Sequence, residues 1–261
     1  MTSARRFIEA QLRKALSRRQ RDFIKAVIHC NDLARLARSL GTDKQGTHAY
    51  ARHYERHFAR LRHRALNILE IGVGGYADPR AGGASLRLWK AYFPRGRVFG
   101  IDIYDKTALE EPRIKTFQGN QADPDFLRRV AREIGDIDIV VDDGSHQSAH
   151  VTAAFRTLFP LLGRDGLYVV EDLQTSYWTE VAGLKWGGSQ DLGAPHTSMS
   201  FFKSLVDGLN YEEFMSGEYQ PTYFDRHIVA MHFYHNLLFV QKGRNDDGSS
   251  MFGRRFGDLS D

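Results

Sequence analysis

The 261-residue sequence predicts an α/β fold: a Rossmann-like, seven-stranded, mostly parallel sheet with an antiparallel last strand, preceded by an N-terminal helical arm. Three observations predict it. From residue 66 onward, short apolar runs alternate with stretches of helical periodicity, the pattern of βαβ units around a parallel sheet. The run Asn67-Ile-Leu-Glu70-Ile-Gly72-Val-Gly74-Gly75 reads as a buried strand ending in a glycine-rich turn. Two closing apolar runs at 228–233 and 237–241, joined by Tyr234, His235 and Asn236, read as a hairpin that reverses the last strand.

Taken in order, residues 4–40 read as one long or two shorter helices, because Phe7, Leu12, Leu16, Phe23, Ile24, Val27, Ile28, Leu33 and Leu36 recur near helical spacing. Gly41 closes that run, and 47–61 reads as a further helix with Tyr50, Tyr54 and Phe58 four residues apart. Strands are expected at 66–71, 97–101, 114–118, 137–141 and 166–170, with helices at 85–92, 125–134 and 148–161. The stretch 174–196, rich in glycine and aromatics with Tyr177, Trp178 and Trp186, has the length of a functional lid or binding loop, and a helix over 197–209 follows it. These elements divide the chain into a basic helical arm (1–40), a catalytic-type α/β domain (41–243) and a flexible tail (244–261).

Composition limits the function classes. Hydrophobic residues make up 42% and charged residues 26%, an ordinary globular balance. No stretch approaches the roughly 18 apolar residues needed to span a bilayer, and the N-terminus lacks a signal-peptide core. The single cysteine, Cys30, excludes an internal disulfide framework and a cysteine zinc cage, so cytoplasm is the expected location. The net charge of +4 hides an asymmetry, since residues 1–64 carry 16 Lys and Arg against 5 Asp and Glu. Such an arm suits nucleic acid, an anionic membrane face or an acidic patch on another subunit, and a solvated helix face explains it better than any of these. No nucleic acid is expected, and a homo-oligomer is.

The chemistry is read from three motifs. Gly72, Gly74 and Ala77 match the dinucleotide fingerprint literally. A dinucleotide, however, seats its pyrophosphate on a helix that begins inside that fingerprint. Here Pro79 and Ala81-Gly82-Gly83-Ala84 delay the helix to about Ser85, so a ligand without phosphates, met by bare backbone and by Glu70, fits better. S-adenosylmethionine is such a ligand. The second motif is Asp102 at the end of Gly100-Ile-Asp102-Ile, where a carboxylate accepts ribose hydroxyls; a helix cap is the plain alternative. The run Gln118-Gly119-Asn120-Gln121-Ala122-Asp123 after the third strand offers small polar groups for an adenine edge.

The third motif is the sharpest. Asp142-Asp143-Gly144-Ser145-His146 ends the fourth strand and Glu171-Asp172 the fifth, and adjacent parallel strands deliver their carboxyl-end residues to one crevice. Converging carboxylates repel unless a hard divalent cation neutralises them, and an oxygen-only set favours Mg²⁺ or Mn²⁺ over zinc. Asp143, Glu171 and Asp172 are the candidate ligands. His146, three residues beyond Asp143, is the candidate general base for a hydroxyl. Each acid taken singly is as readily a helix cap, and His146 a capping histidine.

The runs ILEIGVGGYADPRAGGASLRLWKAYFPRGRVFGIDIYDK, DDGSH and VVEDLQTSYW resemble the metal-dependent sugar O-methyltransferases of natural-product biosynthesis, class I S-adenosylmethionine-dependent enzymes that include macrolide (mycinamicin-type) and rhamnosyl O-methyltransferases. The resemblance covers roughly residues 40–241. It implies methyl transfer to a sugar hydroxyl of a glycosylated natural product, glycolipid or polysaccharide. It also implies Asp143, Glu171 and Asp172 as metal ligands, His146 as base, and Thr42, Lys44 and Tyr54 as residues that help close over the cofactor. Together with the motif readings, the expected cofactor contacts are Thr42, Lys44, Tyr54, Glu70, Gly72, Gly74, Asp102, Gln118, Asn120, Asp123 and Asp142. The family's acidic residue after the third strand is Asn120 here, and a basic helical arm stands where the macrolide enzymes carry a larger auxiliary domain. The rival readings are methylation of a catechol-like diol, a nicotinamide-dependent oxidoreductase, and a non-enzymatic anion-binding module built on the basic arm.

Overall fold

The computed structural model describes residues 16–181 and 183–249, so the predicted helical residues 4–15 and tail residues 250–261 lie outside the described residues. Three helices lead in: α1 (Arg18–Ile28), α2 (Leu33–Leu40) and α3 (Ala51–Phe58). Ser17 begins α1 with a reciprocal capping box to Gln20, Asp32 caps α2, and Gly41 ends α2 with φ of 77°, a conformation glycine adopts without penalty. The predicted helix over 47–61 starts later, at Ala51. Ahead of it, Tyr50 and Ala51 both donate their N–H to the Lys44 carbonyl and fold the chain into a turn.

The sheet follows, with β1 (Asn67–Ile71), α4 (Ala84–Tyr92), β2 (Arg97–Asp102), β3 (Ile114–Gln118), α5 (Pro124–Ile134), β4 (Ile137–Asp142), α6 (Ser148–Leu158) and β5 (Leu162–Val170). After a two-residue hairpin at Glu180–Val181 and Leu184–Lys185 come α7 (Ser198–Ser204), α8 (Tyr223–His227), β6 (Ile228–Tyr234) and β7 (Leu237–Lys242). The strand order is β3-β2-β1-β4-β5-β7-β6, parallel from β3 through β5, with β7 antiparallel to both β5 and β6. This is the predicted class I methyltransferase sheet. The predicted helix over 197–209 is shorter, because α7 stops at Ser204 and a 3-10 segment, Asp207–Glu213, continues the chain.

Both faces of the sheet are covered, which is why its strands read as continuous apolar runs. Ile68, Ile139, Val141, Leu167, Val169 and Phe239 pack on one side with Leu33, Leu36, Tyr54, Phe58 and Trp89. Leu69, Ile71, Ile101, Val140, Tyr168 and Val170 pack on the other with Leu127, Phe155 and Phe202. Helix α2 thus joins the main core through Leu33, Leu36, Ala37 and Leu40, whereas α1 has no buried residue and docks by ion pairs, Arg87–Asp22 at 3.4 Å and Arg19–Glu111 at 3.2 Å. The described part of the predicted flexible tail is tied down, with Asn245 N–H on the Arg226 carbonyl at 3.0 Å and Asn245 Nδ2 on the Asp225 carbonyl at 2.8 Å.

Candidate active site

The register of the parallel strands aligns their carboxyl ends, with Ile71 beside Ile101 and Asp142, and Asp142 beside Val170. The next residues continue the ladder, since Gly72, Asp143 and Glu171 donate their N–H groups to Ile101, Ile71 and Asp142 at 2.8, 2.9 and 3.0 Å. A cavity of about 770 Å³ opens along this edge. It is lined by Gly72 to Tyr76 after β1, Asp102 to Tyr104 after β2, Gly119 to Gln121 after β3, Asp143 to His146 after β4, and Asp172 after β5. Thr42 and Asp43 close it from the turn after α2.

Of the predicted residues, Thr42, Gly72, Gly74, Asp102, Asn120, Asp143, His146 and Asp172 line this cavity. Asp102 is aimed by two backbone N–H groups, Val73 on Oδ2 and Tyr104 on Oδ1, each at 3.0 Å, and is not a helix cap. Gly72 has a different reason to be glycine from the predicted approach of a ligand. A Cβ there would lie 2.1 Å from the carbonyl oxygen of Asp143, so the close approach is between β1 and β4.

The remaining predicted residues stand away from the cavity wall. Asp123 caps α5, its Oδ1 accepting the N–H groups of Asp125 and Phe126, which corrects its expected cofactor contact. Gln118 is exposed and donates to the Ile103 carbonyl at 3.3 Å. Asp142 is buried beneath the wall, accepting from Gln121 Nε2 and Tyr168 OH at 3.2 Å each, and burial lifts its pKa to about 7 against those two bonds.

Lys44, Tyr54, Glu70 and Glu171 form a buried layer behind the cavity rather than a closure over it. Lys44 Nζ, fully buried, stands 2.7 Å from Glu171 Oε1, 2.9 Å from Asp143 Oδ2 and 3.3 Å from Glu70 Oε1. Tyr54 OH donates to the same Glu171 oxygen. Burial works against the Lys44 charge, but Asp143, Glu171 and Glu70 outweigh it and hold its pKa well above the usual value.

On the cavity side, Asp143, His146 and Asp172 offer ligand atoms that all lie within 4.8 Å of one another. His146 Nε2 stands 3.9 Å from Asp143 Oδ1 and 3.8 Å from Asp172 Oδ2. Both His146 and Asp172 sit in left-handed backbone, φ 54° each, and Thr175 Oγ1 donates to both of their carbonyls, at 2.8 and 3.0 Å. Tyr50 OH donates to Asp172 Oδ1 at 2.7 Å, and the Tyr50 ring stacks on His48 at 4.6 Å. The Trp186 ring lies 6.4 Å from that of His146 and 6.0 Å from Trp178.

Sequence reading missed Gln121, Tyr50 and Thr175. Gln121, buried, accepts the Ser145 N–H at 2.7 Å and joins the segment after β3 to the one after β4. Tyr50 carried a signal in its helical spacing from Tyr54, and Gln121 stood in the run offered for an adenine edge. Thr175 acts across folded segments.

No protein-family model matches the chain. It is 53% identical over 216 residues, 82% of its length, to the 8-demethyl-8-alpha-L-rhamnosyl tetracenomycin-C 2'-O-methyltransferase of Streptomyces olivaceus, covering 55% of that protein. It is 48% identical over 220 residues, 83% of its length, to the mycinamicin VI 2''-O-methyltransferase of Micromonospora griseorubida, covering 54% of it. Among solved structures, MycE methyltransferase of the mycinamycin biosynthetic pathway, in complex with Mg and SAH, superposes with a TM-score of 0.80 at 46% identity, over 87% of this chain and 59% of that one. The chain therefore spans little more than half the length of the relatives it matches. By sheet order and by sequence, the chain is a homologue of the sugar O-methyltransferases of the rhamnosyl tetracenomycin and mycinamicin type and carries their class I methyltransferase fold.

Proposed function

We propose that the chain transfers a methyl group from S-adenosyl-L-methionine to a sugar hydroxyl with the help of Mg²⁺ or Mn²⁺. One observation carries this reading. A single crevice joins the Gly72–Gly75 turn and Asp102 to Asp143, His146 and Asp172. The donor set fits a hard divalent ion, being carboxylate oxygens and one imidazole with no thiolate nearby. The relatives' names add rhamnosyl and mycinamicin acceptors, and the MycE complex adds Mg and SAH.

In this reading Asp143 and Asp172 hold the ion from the cavity side, Glu171 joins them by turning outward from the buried layer behind, and His146 takes the proton of the acceptor hydroxyl at Nε2. Glu171 and Asp143 share Lys44, which keeps their carboxylates side by side. When bound, the ion makes the hydroxyl more acidic and the S-adenosyl group supplies an electrophilic methyl. Asp102 receives the ribose hydroxyls, with Thr42 and Asn120 on the same wall. Trp186, beside His146, helps exclude water from the proton transfer. Tyr50 and Thr175 keep Asp172 and His146 in their left-handed conformations, so orientation is built in before substrate arrives.

The acceptor is a glycosylated small molecule or glycolipid. A homo-oligomer is supported by the exposed apolar stripe of α1, with Phe23, Val27 and Ile28 at 69, 58 and 66% exposure. A cytoplasmic location rests on the single cysteine, and no helix among the described residues is long and apolar enough to cross a membrane.

The test is calorimetric titration with S-adenosylmethionine and S-adenosylhomocysteine, then Mg²⁺-dependent transfer to rhamnosides, other glycosides and a catechol. Cofactor binding with metal-dependent transfer to a glycoside supports the proposal. Transfer to the catechol alone moves the acceptor class, and failure to bind either cofactor form overturns the reading.

A further inference from the structure

The loop between β1 and α4 folds back on itself, with Gly83 N–H on the Val73 carbonyl at 2.7 Å, Asp78 N–H on Gly75 at 3.2 Å and Ala81 N–H on Asp78 at 3.2 Å. Three of its carbonyls, those of Tyr76, Asp78 and Ala81, converge on the ammonium of Lys106, which donates to them at 2.6, 2.8 and 3.3 Å. Lys106 is 1% exposed and stands on the segment after β2, four residues beyond Asp102. An ammonium has three N–H donors, and here each has a carbonyl. From the same segment Leu109 seats against Gly83, where an added Cβ would meet Leu109 Cδ1 at 3.1 Å.

We infer that Lys106 is a positioning residue that holds the 73–83 loop in the shape required by the cofactor cavity and stands Tyr76 at the cavity mouth. This rests on the cofactor reading of that cavity. Gly74, Gly75 and Gly82 all have positive φ, so the loop has many accessible conformations in isolation. Lys106 selects one. Tyr76, itself at φ 48° and 87% exposed, lines the cavity beside Asp102 and Tyr104. Two segments that make opposite parts of one wall are thereby joined before ligand binds, which removes an ordering cost from binding. An apolar side chain at 106 would leave three inward-facing carbonyls without their donor.

The experiment compares wild type with Lys106→Met and Lys106→Gln, using calorimetric titration with S-adenosylhomocysteine, Mn²⁺ titration by electron paramagnetic resonance, and tryptic cleavage after the exposed Arg80. Lys106→Met is expected to weaken S-adenosylhomocysteine binding by at least about tenfold and to speed cleavage after Arg80 several-fold, with Mn²⁺ affinity held within about twofold. Lys106→Gln, which keeps part of the donor set, should fall between. A folded Lys106→Met with unchanged cofactor affinity and unchanged cleavage overturns the inference, as does a parallel loss of cofactor and Mn²⁺ affinity. If Lys106→Met does not fold, hydrogen exchange on the ligand-free wild type decides. Protected amides at Asp78, Ala81 and Gly83 uphold the inference, and freely exchanging ones overturn it. Failure of the wild type to bind S-adenosylhomocysteine removes the proposed function, while the cleavage comparison still judges Lys106.

Discussion

Lys44 Nζ lies 2.7 Å from Glu171 Oε1 with both side chains closed to solvent, and the same ammonium reaches Asp143 and Glu70. Lys44, in the turn between α2 and α3, is thus the internal counter-ion of the carboxylates at the ends of β1, β4 and β5. Removing one partner of a buried ion set leaves uncompensated charge, at a cost of about 3–5 kcal/mol. Lys44→Met is expected to lose about that much in urea unfolding. An unchanged midpoint would mean that the carboxylates are neutral without Lys44.

In the proposed reading, proton transfer falls to His146 and metal binding to the acids beside it. His146→Ala should lower turnover by about 10²–10⁴-fold while leaving Mn²⁺ and S-adenosylhomocysteine affinities near wild type. Loss of Mn²⁺ binding in that variant would make His146 a ligand instead, as its distances of 3.9 and 3.8 Å from Asp143 and Asp172 also permit.

Asp143→Asn is expected to abolish high-affinity Mn²⁺ binding while sparing the cofactor, because Asp102 and the glycine turn lie on other strands. Equal Mn²⁺ titration curves for variant and wild type would remove Asp143 from the metal site.

Gly72→Ala probes the contact between β1 and β4. A methyl group 2.1 Å from the Asp143 carbonyl, on a residue with φ of 93°, must push that strand end away, at a cost of about 2 kcal/mol or more. Calorimetric melting measures the loss, and a wild-type melting temperature would refute the contact.

His57 predicts a pH effect. Burial first, then His232, Arg56, Arg60 and His53, lowers its pKa to about 4, while Nε2 contacts Tyr234 OH at 3.0 Å. The unfolded chain therefore binds more protons than the folded one between about pH 6.5 and 4, and stability falls as pH drops through that window. His57→Gln should flatten the fall, as read from melting temperatures at pH 7 and 4.5. A parallel pair of curves would assign the acid sensitivity elsewhere.

Much of the fold was legible because its causes are local. The strand at 114–118 and the helix at 125–134 were read within a residue, since apolar periodicity marks them in the chain itself. At Asp123 the sequence reading put a cofactor contact where the structure shows a helix cap, its Oδ1 accepting N–H groups two and three residues on. Lys44 and Tyr54 were expected above the cofactor and lie behind the carboxylates, because burial of the Tyr54 ring among Phe58, Trp89 and Phe239 decides where its hydroxyl ends.

The succession of strands along the chain, the glycine turn and the acids at the strand ends were determined by the sequence alone, because a parallel sheet delivers the carboxyl ends of neighbouring strands to one edge whatever packs around them. Which of those acids face the cavity was decided only by tertiary structure. Asp143 and Asp172 turn outward beside His146, Glu171 turns inward to Lys44, and Lys106 gathers a loop thirty residues away. Such choices depend on partners brought together in space, where a buried charge must find its counter-charge and a buried carbonyl its donor.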